Sequence, residues 1–124
     1  MVDQDIEKLL IRSVHSHKEA CQFFADNLSD ESVFDRIICI VMESESGDAR
    51  MEGAYWISRC NEALLKKSED ILLRLIDDEW DSVAVHIMVA LSRIKSERAL
   101  TKILDNRVKP VLHWEAVALK NYFT

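Results

Sequence analysis

Glycine and proline are scarce in this chain, whose 124 residues contain two glycines and one proline. Average usage would supply roughly fifteen of the two together in a chain of this length. Tight turns, β-hairpins and phosphate-cradling loops depend on the backbone freedom of glycine or on the fixed φ of proline. The shortage therefore excludes a β-sandwich, a β-barrel and a nucleotide-binding α/β domain. It predicts helices joined by short polar links.

Basic charge is also in short supply, because 16 Lys and Arg stand against 22 Asp and Glu and give a net charge of −6. Binding to nucleic acid or to an anionic membrane rests on a basic surface, so we expect neither as a partner. A basic protein partner is favoured instead, because charges across an interface tend to be complementary. The negative excess is local: residues 26–52 carry eight acids, opposed only by Arg36 and Arg50.

Long apolar runs are absent. The longest uninterrupted run, residues 37–42, is too short to cross a bilayer. Residues 1–5 lack the basic and apolar parts of a secretory signal. The cysteines are odd in number and lie in apolar helical patterns, which predicts buried free thiols and a cytoplasmic protein. They are Cys21, Cys39 and Cys60.

Apolar residues recur at helical spacing along most of the chain, and 48% hydrophobic residues suffice for the core of one domain over residues 1–124. We expect about seven or eight helices. Residues 3–28 are predicted to form one helix, or two that are bent near 13–17, and the next helix is capped by Ser29 or Asp30 and runs through Val41. Further helices are predicted over about 49–62, 68–76, 83–94 and 96–104, with caps at Ser68 and Ser96. A last helix has Pro110 in its first turn.

The helical segments repeat. Those that begin at Asp30, Ser68 and Ser96 share a cap residue, a following glutamate, and apolar pairs around an Arg or Lys, at offsets of 38 and 28 residues. Between them, residues 57–60 match residues 91–94 at an offset of 34. Alternation of two helix types with a period near 30–38 residues is typical of an α-solenoid.

The run of residues 81–94, followed by 96–104, resembles a HEAT-like repeat, in which a capped helix with small apolar residues turns into a second helix that starts near Arg-Ala-Leu. The resemblance covers residues 79–104 and, less closely, 47–76. Ala84 departs from it, because the family usually has an arginine there. The resemblance implies an all-α, right-handed stack of antiparallel helix pairs that serves as a binding surface.

No residue pattern points to catalysis, a cofactor or a metal. His17 and Cys21 could share a metal, but two ligands do not make a zinc site, so we expect a surface histidine and a buried thiol. His86 is interpreted as a hydrogen-bonded core or interface histidine. The motif HExxH is absent at His113, as are GxSxG, GxGxxG and the P-loop. We therefore expect a protein that is not an enzyme.

The links between helices carry the candidate site. In a solenoid, every second link emerges on the same edge, where adjacent helices lie ~8–10 Å apart. The first two such links, 43–48 and 77–81, are acidic, whereas the third, 105–109, is basic with Arg107 and Lys109. We define the acidic edge as the candidate partner-binding residues of the first two links and the adjoining turn: Glu43, Glu45, Asp48, Glu52, Asp77, Asp78, Glu79, Trp80 and Asp81.

A structural interpretation of the same residues stays open. Acids are common in helix first turns, and Asp48 and Asp81 are expected to cap helices. Trp80 is either a staple against the next helical turn or an exposed anchor for a partner. Gly53, inside a helix, predicts a close helix crossing or a partner's approach. Two further tryptophans, Trp56 and Trp114, are predicted to lie in the core.

The pattern as a whole predicts a protein-binding module. Small, acidic, helical proteins resemble the immunity partners of contact-dependent growth inhibition toxins, many of which are nucleases with basic substrate grooves. The resemblance implies a bacterial immunity protein that neutralises a basic toxin domain. The alternative is a scaffold or assembly subunit that binds peptides or copies of itself. We expect a monomer or a weak homodimer.

Overall fold

The computed structural model describes residues 2–78, 80–105 and 113–123. Within these ranges the chain forms nine α-helices and no strand, which confirms the all-α prediction but exceeds the seven or eight helices that were expected. The helices are α1 (Gln4–Val14), α2 (Lys18–Asp26), α3 (Glu31–Glu43), α4 (Gly47–Arg59), α5 (Glu62–Lys67), α6 (Glu69–Leu75), α7 (Asp81–Arg93), α8 (Glu97–Asp105) and α9 (His113–Tyr122). The predicted position of Pro110 and the basic residues Arg107 and Lys109 lie outside the described residues.

The first predicted segment is two helices. The chain breaks between α1 and α2 at Ser16, which adopts a left-handed φ of 59°. His17 then caps α2, because its Nδ1 accepts a hydrogen bond from the Ala20 amide at 3.3 Å. The break therefore falls within the 13–17 stretch at which the sequence left a bend open.

Helix caps agree with the sequence at two places. Asp30 accepts from the Val33 amide at 3.0 Å, and Ser96 accepts from the Ala99 amide at 3.2 Å. Ser68 stands at the start of α6 without a side-chain cap bond.

Two other cap predictions are wrong. Ser46, not Asp48, caps α4 by accepting from the Ala49 amide at 3.2 Å. At the start of α7, Trp80 occupies the N-cap position and Asp81 is already helical. Both acids lie in a first helical turn, where a negative charge still favours the helix dipole.

The predicted helix over 49–62 also ends early. α4 stops at Arg59, and Asn61 starts the extra helix α5 by accepting from the Leu64 amide at 3.0 Å. The Asn61 amide donates to the Leu28 carbonyl at 3.0 Å, which ties this break to the chain segment that follows α2. A long-range bond therefore sets the break.

Helices α4 and α7 form the centre of the packing. α4 contacts α1, α3 and α7, and α7 contacts α4, α5, α6, α8 and α9. At their starts, Gly47 lies against Trp80. At their ends, Arg93 donates to the Ser58 carbonyl at 2.8 Å. The two helices therefore run side by side in the same direction.

The core is one continuous cluster of buried apolar residues that extends from Ile6 in α1 to Ala118 in α9. Trp56 belongs to it, as predicted, with 6% of its surface exposed. Its ring stacks on Phe24 with centroids 5.5 Å apart, and its Nε1 donates to Ser13 Oγ at 3.0 Å. The prediction for Trp114 concerns a side chain outside the described part of the chain.

Gly53 marks a close helix crossing, one of the two explanations that the sequence allowed. A Cβ added at this buried position would lie 2.7 Å from Val41 Cγ2 and 3.3 Å from Ile37 Cγ2, both on α3. The absence of a side chain lets α3 and α4 approach closely.

The three cysteines are free thiols. Cys60 is buried, and its burial raises the thiol pKa to about 11. Cys21 and Cys39 are only half-buried, less than the sequence predicted. Within the described residues, no helix combines the length and the apolar character that crossing a membrane requires.

Candidate partner-binding edge

The first two acidic links are spatial neighbours, as the sequence predicted. The six-membered ring of Trp80, in the second link, lies so close to Gly47 that a Cβ at Gly47 would overlap ring atoms Cζ3 and Cη2. A second contact joins Asp78 to Arg50 on α4. In this arrangement the Trp80 ring occupies the space that a side chain at position 47 would need.

The Arg50–Asp78 ion pair holds the second link on α4. Arg50 Nε donates to the Val41 carbonyl at 2.9 Å, and its terminal nitrogen bonds Asp78 Oδ2. Asp78 Oδ1 accepts from the Trp80 amide at 2.9 Å. Only 9% of the Asp78 side chain is exposed. Asp78 was predicted to bind a partner, but its carboxylate is occupied inside the molecule and positions Trp80.

Asp77 points away from this pair and bonds Lys102 Nζ on α8. Both side chains are exposed, so the ion pair is accessible to solvent and to a partner. Glu79, between Asp78 and Trp80, lies outside the described residues. Two residues of the second link, Trp80 and Asp81, are therefore exposed and form no ion pair among the described contacts.

The first link supplies three exposed carboxylates and one half-buried carboxylate. Glu43, Glu45 and Asp48 are exposed, and Glu52 is half-buried one turn above Asp48. Burial raises the pKa of Glu52, and the negative charge of Asp48 raises it further. Ionised Glu52 is thus destabilised in the unbound protein. A cation placed beside it would offset that cost.

Trp80 is the exposed aromatic residue of the edge, with 46% of its surface accessible. Trp80 occupies the N-cap position of α7. A hydrophobic staple uses the residue before the N-cap, so the position of Trp80 does not match the staple interpretation. Its ring rests on Gly47 of the neighbouring helix, and Asp78 fixes its amide. The indole therefore packs on the start of α4 while 46% of the residue stays open to solvent.

A concave surface that the sequence interpretation missed lies on the same two helices, α4 and α7, toward the ends opposite Gly47 and Trp80. We call it the basic groove; its volume is about 570 Å³. Its signal in the sequence was the match between residues 57–60 and 91–94, which places Arg59 and Arg93 at equivalent repeat positions. The groove is lined by Tyr55, Ser58, Arg59, His86, Val89 and Arg93.

His86 is half-buried in this groove, consistent with a core or interface histidine. Its ring meets Tyr55 edge-on, with centroids 5.6 Å apart, and burial lowers its pKa. The other histidine and cysteine considered as ligands have structural partners: His17 caps α2, and Cys21 Sγ lies 3.4 Å from Ser13 Oγ. Among the described residues, no group of three or more His, Cys, Asp or Glu side chains could hold a metal ion.

The edge thus combines an exposed indole that packs on Gly47 with exposed carboxylates near the starts of α4 and α7. Such a surface suits Lys or Arg side chains, which an aromatic face and carboxylates both attract. Comparisons of the chain with models of protein families, with curated proteins and with solved structures find no match.

Proposed function

We propose that this protein is a binding module that holds a basic protein partner on its acidic edge. The exposed Trp80, whose ring packs on Gly47, carries the proposal. Interface hot spots are enriched in tryptophan, and an aromatic ring that is already fixed loses little conformational entropy on binding. Glu45 and Asp48 lie within two residues of Gly47, on which the ring rests, and Asp81 follows Trp80 in the chain, so the ring stands in an acidic part of the sequence.

A bacterial immunity protein acting in the cytoplasm is the concrete form of this proposal. Its partner would be a nuclease-type toxin domain, because a nuclease needs a basic groove for its substrate. The acidic edge would occupy that groove or bind beside it. The charge of the edge and the resemblance of the sequence support this form.

The proposal includes a short HEAT-like solenoid as the scaffold. Side-chain hydrogen bonds join helices that are two or three apart in the chain, at separations close to one repeat: Arg98 to Asp70 at 28 residues, Asn121 to Ser92 at 29, and Arg93 to the Ser58 carbonyl at 35. The parallel course of α4 and α7 supports the same arrangement. The right-handed sense of the stack stays a prediction.

The test is affinity capture of a partner from the native host. Trp80→Ala and the charge reversal Glu45→Lys/Asp48→Lys/Asp81→Lys are each expected to lose the partner that the wild-type protein retains. The control Glu19→Lys/Asp35→Lys/Glu62→Lys changes the net charge equally at exposed sites elsewhere and should retain it. Retention of the same partner by the edge variants, at unchanged salt sensitivity, would refute the proposal.

A scaffold that associates with itself is the second candidate, and Phe123 favours it, because 81% of its surface is exposed. Tyr122 beside it packs inward, where its hydroxyl donates to the Ser96 carbonyl at 2.7 Å. Sedimentation velocity at two concentrations distinguishes the candidates. Association that Phe123→Ser abolishes would favour the scaffold, and a strict monomer would favour the binding module.

A further inference from the structure

The basic groove and the acidic edge lie at opposite ends of one helix pair. Trp80 and Gly47 stand where α7 and α4 begin, whereas the groove is formed by the second halves of both helices. At 1.5 Å per residue, Tyr55 and Arg59 lie about 12–18 Å along α4 from Gly47. One partner could therefore span both surfaces.

Two guanidinium groups give the groove its charge. Arg93 is fixed at the end of α4, where one terminal nitrogen donates to the Ser58 carbonyl at 2.8 Å and to the Cys60 carbonyl at 2.6 Å. Arg59 is exposed and lies 5.9 Å from the centre of the Tyr55 ring. Burial lowers the pKa of His86 and disfavours its charged form, so the positive charge of the groove rests on the two arginines. The groove is thus cationic in a chain whose net charge is −6.

The walls of the groove are partly apolar. Tyr55 and Val89 are half-buried and border it from α4 and α7 respectively. Its volume of about 570 Å³ can accommodate several side chains. Cations beside apolar walls suit Asp and Glu side chains, which combine an aliphatic part with a carboxylate. A bare inorganic anion lacks the aliphatic part.

We propose that the basic groove binds an acidic segment of the partner protein, whose Asp or Glu carboxylates pair with Arg59 and Arg93 and whose aliphatic atoms pack on Tyr55 and Val89. This inference rests on the proposed function and deepens it, because the partner is then basic where it meets Trp80 and acidic about two to three helical turns beyond. Opposite charges at the two ends of α4 and α7 fix the orientation of that partner.

The test is an NMR titration of the isotope-labelled protein with a capped octapeptide of glutamate and leucine. Its controls are the same peptide with glutamine for glutamate, and inorganic phosphate. We expect shifts at Tyr55, Arg59, His86 and Arg93 with the acidic peptide only. Arg59→Glu should weaken binding about tenfold or more, and Arg59→Gln should do so to a smaller extent. Lys8→Glu, an equal charge change at an exposed site on α1, should leave binding unchanged.

Any one of four outcomes would overturn the inference: equal binding of the two peptides, shifts outside the groove, the same shifts with phosphate, or wild-type binding by Arg59→Glu. Trp80→Ala separates it from the proposed function. This variant should bind the acidic peptide normally while it loses the captured partner. Absence of peptide binding together with Trp80-dependent capture would refute the groove alone. Peptide binding together with capture that does not need Trp80 would refute the acidic edge alone.

Discussion

Asp77 and Asp78 are adjacent in the chain but differ in what their carboxylates do. Asp78 is largely buried against Arg50 and also accepts the Trp80 amide, whereas Asp77 forms an exposed ion pair with Lys102. Exposed ion pairs add little stability because water and salt screen them, but a buried partner left alone is costly. The two acids therefore provide a matched pair of variants.

Asp78→Asn is expected to lower the free energy of unfolding by about 1–3 kcal/mol, because it leaves the half-buried Arg50 without its counter-charge. Asp77→Asn should change it by no more than about 0.5 kcal/mol. Urea denaturation of both variants measures the difference. Equal effects would show that the Arg50 pair does not anchor the second link.

Gly53→Leu is expected to destabilise the protein by about 1–3 kcal/mol or more, because even a Cβ would lie 2.7 Å from Val41 Cγ2. Valine in a helix has little rotational freedom with which to yield. Ala25→Leu, at an exposed position of α2, is the control and should be nearly neutral. In the background of Val41→Ala the cost of Gly53→Leu should shrink, and an undiminished cost would place the clash elsewhere.

At the scale of the element, two helices end without the glycine that such ends commonly use. Ser16 after α1 and Lys95 after α7 take the left-handed conformation, with φ of 59° and 52°. In both turns the following amide reaches back five residues, from His17 to Arg12 and from Ser96 to Leu91, which is the bond of a Schellman motif. The shortage of glycine therefore places ordinary residues at strained positions.

Ser16→Gly is expected to raise the free energy of unfolding by about 0.5–1 kcal/mol, because glycine adopts a positive φ without steric cost. His15→Gly, one residue earlier at a φ of −88°, should lower stability instead. Thermal and urea denaturation compare the two variants. Destabilisation by Ser16→Gly would mean that the serine side chain contributes more than the strain costs.

The elements that the sequence predicted well depend on local signals. Asp30 and Ser96 cap their helices through amides three residues away, and the glycine inside α4 marks the crossing with α3. The end of α4 was missed because it depends on the bond from Asn61 to the distant Leu28 carbonyl. In the candidate site, the proximity of the two links followed from the repeat. The inward turn of Asp78 did not, because nothing local indicates that Arg50 pairs with an acid 28 residues away.

At the scale of the whole molecule, charge is distributed along one pair of helices. α4 and α7 lie side by side in the same direction, with Trp80 and exposed carboxylates at their starts and two arginines in the groove of their second halves. The net charge of −6 alone favours a basic partner; under our proposal, this distribution also sets the orientation of that partner.

Hydrogen–deuterium exchange of the protein with its captured partner tests the central claim most directly. Binding at the acidic edge is expected to slow exchange in residues 43–52 and 80–84 relative to the free protein, with α2 unchanged as the internal control. The same experiment with Trp80→Ala, at concentrations that saturate the wild-type protein, should show no protection. Protection confined to α2 or α9, with the edge exchanging as in the free protein, would contradict the account.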